Sequence, residues 1–204
     1  MSGLRYSDIE TEAFIAASTA LNESPAAAAR AAIAVAEKTM ARVAAEPTLA
    51  AALKGVACRK GCGWCCHQVV GITTAEEEML VAAANALPAS ARARLKARQI
   101  EAEHRLRCLP VEEWQAARVP CPILENGRCV LHAARPLPCR AVLSADVAAC
   151  KAWHDGDEGA RIPLIAVQRN VHAQVQAALA QALAAAGTPP GPVSLIEALS
   201  LMAG

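Results

Sequence analysis

Four cysteines fall within nine residues, Cys58-Arg-Lys-Gly-Cys62-Gly-Trp-Cys65-Cys66, and His67 follows them. Thiols separated by gaps of three and two residues can chelate one metal centre, because a tight turn through a glycine aims both sulfurs inward. The adjacent pair Cys65–Cys66 is harder to place on one ion, since neighbouring side chains diverge in most backbone conformations. The doublet suits one sulfur on each of two metals, a bridging arrangement, or a single ligand of the two. Arg59 and Lys60 lie inside the loop, where positive charge favours thiolate over thiol.

Four more cysteines follow about sixty residues on, in Cys121-Pro, Gly127-Arg-Cys129, Arg135-Pro-Leu-Pro-Cys139-Arg140 and at Cys150. Disulfides, a structural metal, an electron-carrying cluster and a nucleophilic thiol all need cysteine, but they ask different things of the chain. Nine cysteines are an odd number, so an all-disulfide scheme leaves an orphan. The opening MSGLRYSDIETEAF has no basic region, apolar run or small-residue cleavage site, so a cytoplasmic setting is expected. Thiols stay reduced there, and clusters of them are more often metal ligands than bridges. Cys58, Cys62, Cys65, Cys66, Cys121, Cys129, Cys139 and Cys150 are therefore the candidate ligands. Cys108 matches no motif. His67 and His132 are secondary candidates, more simply read as polar neighbours; His104, His154 and His172 are expected in solvent.

These motifs resemble a known family. Cys-x3-Cys-Gly-x-Cys-Cys, then Cys121-Pro-Ile-Leu, Gly127-Arg-Cys129-Val-Leu-His132 and Arg135-Pro136-x-x-Cys139-Arg140, look like the YkgJ-type cysteine-cluster proteins, described as zinc- or iron-chelating. The resemblance covers roughly residues 58–150 and implies metal binding, with iron–sulfur and zinc both open. Within that family a flagellin lysine methylase is associated with a [4Fe–4S] cluster, and other members are labelled ferredoxin-like. This chain departs at His132, where the family usually has tyrosine.

The elements that must position these thiols read as helices. Alanine supplies about a quarter of the chain, while aromatics are 2% and hydrophobic residues 54%; alanine is the best helix former and packs closely. Capping boxes are expected at Ser7/Glu10 and at Thr74/Glu77. Pro25 opens an alanine-rich helix to Glu46, and a charged helix follows Pro88 to Arg107. Ser144 is expected to cap a short helix carrying Cys150 and Trp153. Leu164, Val167, Val171, Val175, Leu179 and Leu183 recur at helical spacing, predicting one long core helix over 161–186. No strand pattern is convincing.

The expected fold is all-α, a helical bundle with two irregular cysteine-bearing loops, 55–72 and 119–150, enclosing a metal site. It forms a single domain over 1–204, with a metal-binding cysteine core at about 55–155 between N-terminal helices (7–53) and C-terminal helices (161–202). A thiolate-bound zinc contributes roughly 10–16 kcal/mol in model peptides, comparable to the ~5–15 kcal/mol net stability of a domain, so metal is expected to decide whether the loops fold. Trp64, Trp114 and Trp153 lie near cysteines and read as core around the metal. The basic run Arg92, Arg94, Lys96, Arg98, Arg105 and Arg107 reads as a solvated helix face.

A net charge of +1 and five aromatic residues argue against a nucleic-acid partner, and no apolar run reaches the ~18 residues of a membrane span. Three functions remain. The first is an iron–sulfur protein for electron transfer, sensing or support of a protein partner. The others are a zinc protein with structural or storage sites, and a metal-dependent, methyltransferase-like enzyme. Soft thiolates suit iron–sulfur and zinc alike.

Overall fold

The computed structural model describes residues 4–203; Met1–Gly3, which belong to the opening stretch read above for a leader, and Gly204 lie outside them. The architecture is all-α, as expected. Helices α1 (Tyr6–Ala20), α2 (Pro25–Ala45) and α8 (Ala166–Ala185) form the main layer, with α3 (Pro47–Ala50) ending the second hairpin arm. Against them pack α4 (Thr74–Asn85) and α6 (Leu137–Ala141). Helix α5 (Ala89–Arg107) and the short α9 (Leu195–Ala198) complete a second layer, and α7 (Val147–His154) stands over the cysteine turn at Trp64–His67.

Small side chains explain the close packing of the first layer. Ala13 and Ala17 of α1, Ala28, Ala29, Ala32 and Ala36 of α2, and Ala178 and Ala182 of α8 are buried in one cluster with Val171, Val175, Leu179 and Leu183. The stripe that predicted a core helix therefore does form core. Ser24 caps α2 by accepting the Ala27 N–H at 3.0 Å, with Pro25 in the first turn. A second cluster joins Leu80, Leu95, Ile123, Leu131, Leu195 and Leu199, with Cys121, Cys129 and Cys139 partly buried against its edge.

Several local expectations shift. Helix α1 starts at Tyr6 with no side-chain cap; Ser7 lies inside it, and an Arg5–Asp8 ion pair at 2.8 Å spans its first turn. The capping box on α4 is Thr73/Glu76, one residue earlier than predicted, because the Thr74 hydroxyl donates instead to Pro189 O at 2.7 Å. Asp146, not Ser144, caps α7, accepting from Ala148 N and Ala149 N. The long helix begins at Ala166 rather than 161. Pro163 disfavours helix before it, and 163–165 run extended beside 143–145, with Ala145 N–H to Pro163 O at 2.9 Å and Ile165 N–H to Leu143 O at 2.8 Å. Two short antiparallel pairs also form, β1 (Gly71–Ile72) with β4 (Val193–Ser194) and β2 (Leu124–Glu125) with β3 (Arg128–Cys129). Each strand is two residues long, too short to leave an alternating pattern.

Candidate metal centre

The first cysteine loop is built by turns. Gly61, at φ +88°, allows the bend that brings the Cys62 N–H to Arg59 O at 2.9 Å. A single turn of 3-10 helix, Trp64–His67, then carries the doublet, whose Cys66 N–H reaches Gly63 O at 3.0 Å. At the start of the loop the Cys58 sulfur accepts the Ser144 N–H at 3.3 Å, while the Ala57 N–H donates to Ser144 O at 2.8 Å. The later part of the second loop therefore holds the entry to the first.

The second loop closes from the other side. Its β2–β3 hairpin turns through Asn126 and Gly127, both at positive φ, the conformation that Asn-Gly hairpin turns require. The hairpin lies directly against Gly63: a Cβ there would sit 3.2 Å from Leu124 Cδ1. The Cys121 N–H donates to Cys66 O at 2.7 Å, so backbone bonds tie the two loops at the doublet itself. Helix α5 supports this loop: Arg98 donates through Nε to Pro122 O at 2.7 Å, and Arg94 and Arg98 both pair with Glu125, at 2.8 and 2.9 Å. Two members of the basic run thus anchor the hairpin rather than face only solvent.

Cys139 sits on α6, which a buried carboxylate fixes. Glu76, fully buried, accepts the Leu137 N–H through Oε1 at 2.6 Å and the Thr73 N–H and hydroxyl through Oε2 at 2.8 and 2.9 Å. Burial raises its pKa against these donors. Arg140 clamps the segment before α6, donating to Arg135 O and Ala133 O and pairing with Glu37 of α2.

The thiols fall into neighbouring sets. Burial pushes Cys121 and Cys139 up to about 12, and Cys139 is raised further by Cys129 and Cys65 beside it. Burial also raises Cys129, against the favourable charge of Arg135. Buried Cys150 is raised by burial and by the proximity of Cys58, Cys62 and Cys65. The charge of Cys65 acts on Cys129 and Cys139 as well as on Cys150. Cys65 itself is raised far above the ordinary thiol value by its hydrogen bond with Cys66 and then by burial. A cavity of about 80 Å³ borders Cys65 and Cys150, walled by Trp64, Trp153, Val142 and Leu164.

Other expected neighbours stand apart. Cys108 is exposed at the C-terminal end of α5. His67 places Nδ1 3.2 Å from Gly63 O and its ring edge-on to His154 at 4.4 Å. Burial and His154 lower its pKa. His132 is exposed, its pKa lowered by Arg135 first. His154 is half-buried between Trp64 and His67, and His172 is buried in the core with Nδ1 2.8 Å from Gln168 O, so neither is solvated as predicted. Trp114 packs with Ala102, Leu106 and Val119.

Residues 57–158 match the family model CxxCxxCC, described as "Putative zinc- or iron-chelating domain". The chain belongs to this family. No match was found to a curated protein or to a solved structure. CxxCxxCC membership supports metal binding and leaves zinc and iron open.

The residues fit such a metal chemically. Eight cysteines carried by the two loops offer soft sulfur donors of the kind that zinc and iron–sulfur centres take. Burial raises Cys121, Cys129, Cys139 and Cys150 toward the neutral thiol, and a metal cation beside them would favour the thiolate. Among the described residues, no three Cys, His, Asp or Glu side chains stand in a finished metal-holding arrangement.

Proposed function

We propose that this CxxCxxCC chain is a single-domain protein that holds an iron–sulfur cluster through cysteine thiolates, serving electron transfer, sensing or a partner enzyme. The ligands come from Cys58, Cys62, Cys65, Cys66, Cys121, Cys129, Cys139 and Cys150. The observation that carries this reading is the Cys121–Cys66 backbone bond, which fastens the two thiol-bearing loops at the doublet. The charges of Cys58, Cys62 and Cys65 act on Cys150, while those of Cys129 and Cys65 act on Cys139, which supports Cys65 serving both loops.

When bound, an iron–sulfur cluster supplies one-electron redox chemistry whose potential depends on hydrogen bonds and burial. The chain's own residues hold the thiols in place: Glu76 through α6, Arg98 through the hairpin, Ser144 through the Cys58 sulfur. Trp64 and Trp153 wall the cavity beside Cys65 and Cys150 and limit water there. The all-sulfur donor set equally favours a second reading, one or two four-cysteine zinc sites with a structural or storage role.

Anaerobic purification with elemental analysis, acid-labile sulfide and a visible spectrum tests the choice. Iron with stoichiometric sulfide and a brown chromophore is expected. A colourless protein with stoichiometric zinc and no sulfide selects the second reading. A metal-free protein that stays fully folded with reactive thiols overturns both.

A further inference from the structure

The tips of the two cysteine loops meet. A Cβ added at Gly127 would stand 3.4 Å from Gly61 O, and one added at Gly63 would stand 3.9 Å from Gly127 O. The turn from Arg59 to Cys62, closed by the Cys62 N–H on Arg59 O at 2.9 Å, therefore lies against the Asn126–Gly127 turn of the β2–β3 hairpin. Arg59, Lys60 and Arg128 are exposed on these tips, each within two residues of Cys58, Cys62 or Cys129.

The charge at this junction is one-sided. Loops 55–72 and 119–150 hold five lysines and arginines against two carboxylates, in a chain whose net charge is +1. Both carboxylates are engaged. Asp146 caps α7, and Glu125, opposite Arg128 in the hairpin register, pairs with Arg94 and Arg98 of α5. Among the described residues, the side chains of Arg59, Lys60 and Arg128 have no hydrogen bond or ion pair. Charges of one sign gathered at the edge of a site raise the local concentration of the opposite sign and speed its arrival.

Resting on the metal-binding reading above, we infer that Arg59, Lys60 and Arg128 form a docking rim for small anionic metal chelates, from which the cysteine loops take their metal. The occupant is a carboxylate-ligated metal complex of net negative charge. Three cations on two adjoining turns match one such anion, whereas a protein partner needs roughly 800 Å² of surface on each side. In the transfer, bonds from metal to carboxylate oxygen break and bonds from metal to cysteine sulfur form. The carrier leaves as the free anion, the thiol protons pass to buffer, and no electron moves.

The test presents one metal in two charge states to the metal-free, full-length protein. Zinc is supplied as its citrate complex, an anion, and as its diethylenetriamine complex, a cation. Uptake rates are read by quenching with a chromogenic chelator, at about 10 mM and about 500 mM salt. With Arg59→Gln, Lys60→Gln and Arg128→Gln combined, uptake from citrate at low salt is expected to slow at least about fivefold, as removal of three nearby charges implies. Uptake from the amine complex is expected to stay equal or rise. Arg59→Lys combined with Arg128→Lys keeps the charge and is expected to keep the wild-type rate from citrate. High salt is expected to shrink the difference between the variants. A triple variant within about twofold of wild type on citrate overturns the inference and leaves the rim to a larger acidic partner. Equal slowing from both carriers also overturns it, since that marks the tips as structural. If wild type takes zinc from neither carrier, the metal-binding reading itself fails and this inference falls with it.

Discussion

The bundle of α1, α2 and α8 and the cysteine region at 57–158 are held together by different physics. In the first, Leu179, Leu183, Val171 and Val175 are fully buried among alanines. In the second, between its helices the chain runs as turns and two-residue strands, most cysteines are only partly buried, and single cross-chain bonds such as Cys121 N–H to Cys66 O join loops packed on the edge of the Leu80–Leu95–Leu131 cluster. Apolar burial at about 25 cal/mol per Å² suffices for the bundle. The loops gather thiols that resist ionisation. The comparison teaches that periodic apolar burial specifies the bundle, whereas the cysteine loops are joined by single contacts between distant parts of the chain.

The sharpest way to break this contrast is at a proposed ligand. Cys62→Ser is expected to abolish most metal uptake and to loosen both loops, because a thiolate metal site contributes on the order of 10 kcal/mol. Cys108→Ser, at an exposed position on α5, is expected to leave metal content unchanged. Elemental analysis of the two variants decides, and equal metal in both refutes the ligand assignment.

The bundle is expected to respond in the opposite manner. Leu179→Ala removes a fully buried side chain and should cost about 2–5 kcal/mol by cavity formation, read by urea unfolding, with metal stoichiometry unchanged in the folded fraction. A parallel loss of metal would show that the two regions are not separable.

Alkaline pH separates the loaded and empty states. Cys121 and Cys139 rise from an ordinary 9.0 to about 12 in the folded chain. Below pH 9 folded and unfolded chains both keep these protons and stability is insensitive to them. Between 9 and about 12 the unfolded chain releases protons that the folded chain retains, so metal-free stability must fall as pH rises. Urea midpoints of the metal-free protein below and above pH 9 check this, and a midpoint that holds or rises contradicts it. A smaller effect belongs to the bundle alone: Ser24→Ala removes the α2 cap and should cost about 1 kcal/mol, visible in the thermal midpoint with no change in metal affinity.

How much of this was legible in sequence follows the same division. The 164–183 stripe and the alanine content announced the bundle, since burial there repeats every helical turn. The cysteine motifs announced the chemistry, since chelating gaps are local. What stayed hidden is contact between residues far apart in the chain. Glu76 meets Leu137 N across 61 positions, and Arg98 meets Glu125 across 27; no spacing rule encodes either. Glu76 did leave one signal, its place at the third position of a Thr-capped helix, but that marks a cap rather than an anchor for α6. The 161–165 segment was misread as helix because Leu164 fits the stripe, while Pro163 and pairing with 143–145 decide its conformation.

The account turns on whether the two regions differ in their need for metal. Hydrogen exchange, followed by mass spectrometry on the metal-loaded and chelator-stripped protein, measures that directly. Amides of α1, α2 and α8 are expected to keep their protection in both states. Those of 57–72 and 119–150, including the Cys121 N–H bonded to Cys66 O, are expected to lose most of theirs when metal is removed. Equal protection of the loops in both states would contradict the central claim.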